Sequence, residues 1–239
     1  MSRFTLICSL VFGLSSASLV GSADAQFAKA PPSTVAMSGA AARAEAPMPN
    51  YRIAPQRVLD RTAVRAALIK ARGSNLGSFR AYQAKGVFPS NSFKPTKLNV
   101  WLDADGNLCA AATIIKMSGQ DELVAKVAEQ NNFIRLADVK QGPLMDWILT
   151  SGFTQAEIAM IQEPFMPVVR EPAPEPSKPI LVDNKLRKAE DARLRALYKQ
   201  IDKQLVKQQR ASLEQATDRL MKQPSLAWKL IDSQSSIDA

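Results

Sequence analysis

Histidine occurs nowhere in the 239 residues. That absence excludes Ser-His-Asp and Cys-His nucleophile systems, histidine general bases, and every zinc site that needs an imidazole nitrogen. Cysteine is almost as scarce, with Cys8 and Cys109 as its two occurrences. Two thiols cannot build a thiolate metal cluster. No Gly-rich phosphate loop and no Ser/Lys hydrolase signature is present. Beyond the N-terminal stretch, no apolar run approaches the ~20 residues a spanning helix needs. No cofactor and no metal is expected, and the chain reads as noncatalytic.

What is present begins with an export pattern. In MSRFTLICSLVFGLSSASLVGSADA, Arg3 supplies a basic start, Phe4 to Val20 an apolar run, and Ala23-Asp24-Ala25 an A-x-A cleavage site. Residues 1–25 are therefore expected to be a cleaved secretory signal. The mature protein is then exported, periplasmic or fully secreted, and bacterial, with no transmembrane span after cleavage. Cleavage leaves Cys109 alone, so in an oxidising compartment it is buried, reactive or paired between chains. The formal charge is +9, which attracts anionic partners without specifying one.

Composition then divides the chain. Residues 26–55 are rich in Ala, Pro and Ser and lack a sustained period, as in a flexible tether. Residues 56–165 hold the candidate globular domain. Residues 166–182 repeat proline, which favours an extended, semi-rigid spacer. Residues 183–223 read as one long basic amphipathic helix, and 224–239 as a short tail. The expected fold class is α+β and predominantly helical: a small helical domain with one β-hairpin, a Pro-rich spacer and a long C-terminal helix.

Within the domain, Asp60 or Thr62 is placed to cap a helix ending near Gly73. Leu76, Phe79 and Tyr82 suggest a second short helix closed by Gly86. In KLNVWLDADGNLCAAATIIKM, Leu98, Val100 and Leu102 alternate, Asp105-Gly106-Asn107 is turn material, and an apolar run follows from Leu108 to Ile115. That pattern predicts the hairpin. Ser118 with Asp121 resembles a helix cap, Pro143 opens another helix, and Thr154 with Glu157 forms a T-x-x-E capping box.

Three sets of residues carry functional expectations. Asp103 and Asp105 match the third and fifth positions of an EF-hand loop around Gly106, but Trp101 and Ala112 occupy its first and twelfth. A turn is the better reading. Leu144, Met145, Trp147, Ile148 and Leu149 surround most of their helix, and Ile158 and Ile161 follow on the next. These form either core or a protein-contact patch. On the long helix, Leu197, Ile201, Leu205, Gln209 and Leu213 recur every fourth residue, a wider period than a coiled-coil heptad seam. Opposite them Arg195, Lys199, Lys203 and Lys207 repeat at the same interval, with Arg210 close by. They form either a solvated face or a basic rail for an anionic partner.

The expected function is accordingly a noncatalytic, exported binding or assembly protein of the bacterial envelope. Its alternative is an anionic-polymer binder, for lipopolysaccharide, an acidic glycan or nonspecific nucleic acid, working through the basic helix face. A carboxylate-dependent hydrolase comes third. Sequence-specific nucleic-acid reading is not expected, because Tyr198 is the helix's single aromatic before Trp228.

Overall fold

The computed structural model describes residues 57–170 and 182–235. All lie within one compact unit, Ile53–Ala239. The expected signal and tether, the central part of the proline spacer and the last four residues of the tail (236–239) lie outside the described residues.

Seven α-helices follow one another among the described residues: α1 (Arg61–Lys85), α2 (Ala110–Met117), α3 (Asp121–Asn131), α4 (Pro143–Thr150), α5 (Gln155–Ile161), α6 (Asn184–Leu220) and α7 (Pro224–Ser235). A single 3-10 turn, Leu136–Asp138, separates α3 from α4. No strand is present among the described residues; the β-pairing there consists of isolated bridges. The fold is therefore helical, and the expected β-hairpin is overturned.

The reason lies in the segment after Leu108. Leu102 and Leu108 do form one antiparallel bridge around the Asp103–Asn107 turn, but the pairing stops there. Cys109 is the N-cap of α2, its Sγ accepting from the Ala112 N–H at 3.4 Å. Three successive alanines then start the helix, and Ala has the highest helix propensity. A short apolar run suits a buried strand and a buried helix equally. Here all of Ala110, Ala111, Ala112, Ile114 and Ile115 are fully buried, and helical bonding satisfies their amides without a partner strand. Trp101, expected on the first hairpin arm, packs inside and donates Nε1–H to the Val124 carbonyl at 3.0 Å.

Two smaller boundaries also differ. Asp60 caps α1 by accepting from the Thr62 and Ala63 amides, but the helix runs on through Gly73 and Gly77 to its left-handed cap at Gly86. The buried side chains on both sides of the glycines, from Val64 to Tyr82, hold the helix together where propensity alone would break it. Ser118 closes α2 instead of opening α3: its Oγ donates to the Ile115 carbonyl and accepts from the Trp147 indole. The Thr154–Glu157 capping box of α5 is present in both directions.

The long helix is part of the core. The pairings Arg61 with Asp218, Arg80 with Asp202 and Gly86 with Arg195 set α6 antiparallel to α1. Leu194, Tyr198, Ile201 and Leu205 join the main core, with Tyr198 inside an aromatic cluster of Phe79, Tyr82 and Phe88 at centroid separations of 5.5–5.6 Å. Leu213, Ala216 and Leu220 close a second cluster with Val64, Leu68 and the α7 residues Ala227 and Leu230. Among the described residues no helix is long and apolar enough to cross a membrane.

Candidate functional site: the basic face of the long helix

The inward stripe of α6 dictates what faces out. Residues 194, 198, 201, 205, 213, 216 and 220 are buried, an average step close to the 3.6 residues of a straight α-helix. The four-residue series read from the sequence drifts off this stripe: Leu197 is only partly buried and Gln209 is exposed. Lys199, Lys203, Lys207 and Arg210 lie on the opposite face, all exposed, with successive lysines ~6 Å apart along the axis.

Among the described residues, no acidic side chain neutralises their charge. The acidic side chains of α6 are paired elsewhere. Asp202 accepts from Arg80 at 3.0 Å, Glu214 from Arg65 at 2.7 Å and from Arg61 at 3.0 Å, and Asp218 from Arg61 at 2.7 Å. Glu190 and Asp191 bind Arg193 and Arg187 of the same helix. The Glu214 carboxyl is held below the usual range by hydrogen bonds from Arg65 and Arg61, so it stays ionised and committed. Lys199, Lys203, Lys207 and Arg210 form no ion pair with any described residue. Arg195, grouped with them in sequence, is different: its Nη2 donates to the Gly86 carbonyl at 2.8 Å, and its guanidinium lies 5.5 Å from the Phe88 ring. It fastens the end of α1 to α6, leaving a rail of four.

The other expected residues are placed as follows. Leu144, Met145, Trp147, Ile148, Ile158 and Ile161 are buried in the core and Leu149 is partly buried. They offer no exposed patch for a partner. Asp103 is buried and its carboxylate accepts four hydrogen bonds, from the Ser90, Asp105 and Asn107 amides and the Asn107 side chain. Those bonds account for the DADGN sequence as a self-closing turn. Among the described residues, no group of three or more Cys, Asp or Glu side chains is arranged to hold a metal ion.

Cys109 is fully buried, and burial pushes its thiol up to about 12, far from the thiolate that nucleophilic chemistry requires. Burial likewise raises the Tyr82 and Tyr198 hydroxyls well above the ordinary phenol range, so both stay protonated.

Sequence reasoning missed one charged pair. Arg72 of α1 and Glu157 of α5 are buried and meet in a two-pronged pair at 2.8 and 2.9 Å. Arg72 also donates to the Gly152 and Leu205 carbonyls, and Glu157 accepts from the Ser212 hydroxyl and the Thr154 amide. Burial opposes ionisation of Glu157, but the bonds from Arg72, Thr154 and Ser212 outweigh it and lower the carboxyl below its ordinary range. The network ties α1, α5 and α6 together and is sealed from solvent, which makes it a structural joint. Compared with protein-family models, curated proteins and solved structures, the chain matches none.

Proposed function

We propose that the protein is a noncatalytic binding component of the bacterial envelope, exported by its N-terminal signal, that engages an anionic polymer through the exposed face of α6. The observation that carries this reading is the asymmetry of pairing on one helix. Its acids are drawn into ion pairs, while Lys199, Lys203, Lys207 and Arg210 remain exposed without one. Like charges four residues apart cost an isolated helix about 0.2–0.5 kcal/mol per pair, and an anionic partner removes that repulsion.

Contacts of this kind release counterions, so binding weakens steeply with salt. Immobilised heparin serves as the polyanion probe. The variant K199Q/K203Q/K207Q/R210Q is expected to elute at markedly lower salt than wild type, with a shallower salt slope. A control of equal charge loss away from the rail, K126Q/K140Q/K222Q/K229Q, is expected to elute close to wild type. If both variants shift equally, net charge alone governs retention and the rail has no role. If neither shifts, the reading fails.

A further inference from the structure

A second feature lies where the last turn of α1, the length of α2 and the Asp103–Asn107 turn that precedes α2 border one hollow. Together they enclose an open cavity of about 420 Å³, within the roughly 300–1,000 Å³ that small-molecule sites occupy. Its walls mix polar and apolar groups; the apolar ones are Ala81 and Tyr82 of α1, Leu108, and two large side chains left open to solvent, Val87 at 40% and Met117 at 55% exposure. Exposed apolar side chains scattered singly need no explanation, but these two border the same hollow. Asn107 and Thr113 supply neutral polar groups, and no carboxylate lines it.

The charge in the lining is entirely positive. Lys85 belongs to the last turn of α1 and Lys116 to the last turn of α2, and both line the cavity. A cation in a last turn suits its own helix dipole, but that preference does not bring two such turns to one opening. Some of the helix-end carbonyls are already bonded by backbone amides. The Gly86 amide bonds the Tyr82 carbonyl, while those of Ser118, Gly119 and Gln120 cover the end of α2. Lys116 has one weak tie, to Asp121 at 3.9 Å with both groups more than half exposed, and such a surface pair holds little.

We infer that this cavity is a binding site for a small amphiphilic anion, a carboxylate or sulfonate on a compact apolar body. The apolar body packs against Tyr82, Val87, Leu108 and Met117, and the anionic group meets Lys85 and Lys116 at the opening. The site is distinct from the rail on α6 and does not depend on it.

The probes are 8-anilinonaphthalene-1-sulfonate, an anion on an apolar ring system, and the uncharged N-phenyl-1-naphthylamine of nearly the same shape. Each is titrated by fluorescence into the full chain, with circular dichroism confirming the fold of every variant. The sulfonate is expected to bind at one saturable site, at least tenfold more tightly than the neutral probe. K85Q/K116Q is expected to weaken the sulfonate at least tenfold while leaving the neutral probe within about twofold. Ala81→Trp, at an exposed position on the cavity wall, fills the hollow and is expected to abolish both. The four-residue rail variant is expected to bind as wild type does. Non-saturable binding, equal affinity for the two probes, or indifference to both K85Q/K116Q and Ala81→Trp overturns the site. Loss in the rail variant alone assigns the sulfonate to α6 and overturns it equally.

Discussion

Arg72 and Glu157 stand 85 positions apart in the chain, and neither looks unusual where it lies in the sequence. The capping box accounts for Glu157 by itself, and Arg72 sits in a polar run, KARGSN, that suggests solvent. Only folding shows that both side chains are nearly sealed from water, at 1% and 4% exposure. A buried charge left without its partner costs roughly 3–5 kcal/mol, so Arg72→Leu is expected to destabilise by that amount. Adding Glu157→Gln removes the stranded carboxylate and is expected to restore part of the loss. Urea unfolding of the two single variants and the double variant reads the coupling directly. Acid provides a second view. Because the Glu157 carboxyl is held below its ordinary range, its contribution is full above the unfolded-state value of about 4.3. It fades as pH falls through the lower folded-state value. The urea midpoint of wild type is therefore expected to drop on going from pH 5 to pH 3, and to drop less in Glu157→Gln.

At the scale of elements, what the sequence made legible were some of the helix starts, because an N-cap is local chemistry. The Thr154–Glu157 box was readable from a few neighbouring residues and is found at its helix start, and of the two cap candidates Asp60 and Thr62 it is Asp60 that caps α1. Whether Ala110–Met117 is strand or helix is decided by what surrounds it, and the alternating Leu98, Val100 and Leu102 misled because they lie in extended chain with isolated bridges. The same limit applies to α1, where Gly73 reads as a stop. Its neighbours Arg72, Asn75 and Leu76 are buried, and that packing carries the helix across. The glycines themselves remain suboptimal. Gly73 and Gly77 are exposed, and a Cβ at either would meet nothing within 4 Å. Gly73→Ala and Gly77→Ala are each expected to stabilise by about 0.5–1 kcal/mol, measurable as a raised melting temperature. Gly152→Ala is expected to do the reverse. Its φ of 78° is left-handed, which costs a non-glycine residue about 1–2 kcal/mol, and its Cβ would clash with Leu68 and Arg72.

For the whole molecule, the decisive question left open by the sequence was whether the long C-terminal helix stands free or is built in. Composition could not settle it, because a helix rich in Lys, Arg and Gln with one apolar stripe serves either arrangement. The stripe itself held the clue: Tyr198 and Leu194, both fully buried, extend it toward the aromatic side chains of α1. With α6 in place, Phe79, Tyr82 and Phe88 are enclosed, and Ser212 and the Leu205 carbonyl complete the Arg72–Glu157 joint. A chain ending before Asp183 would expose that aromatic cluster and leave Arg72 with fewer partners. It would also lose Leu213, Ala216 and Leu220 from the second core cluster. Such a truncation is expected to lose cooperative thermal unfolding and near-ultraviolet circular dichroism, not merely polyanion binding. Were it to melt sharply with wild-type near-ultraviolet signal, the first part of the unit would be folding without α6, and the helix would be a detachable arm. The rail's exposure and the core's closure are thus two faces of one helix, and substitutions confined to Lys199, Lys203, Lys207 and Arg210 are expected to separate them, removing affinity while leaving the melting temperature at or slightly above that of wild type.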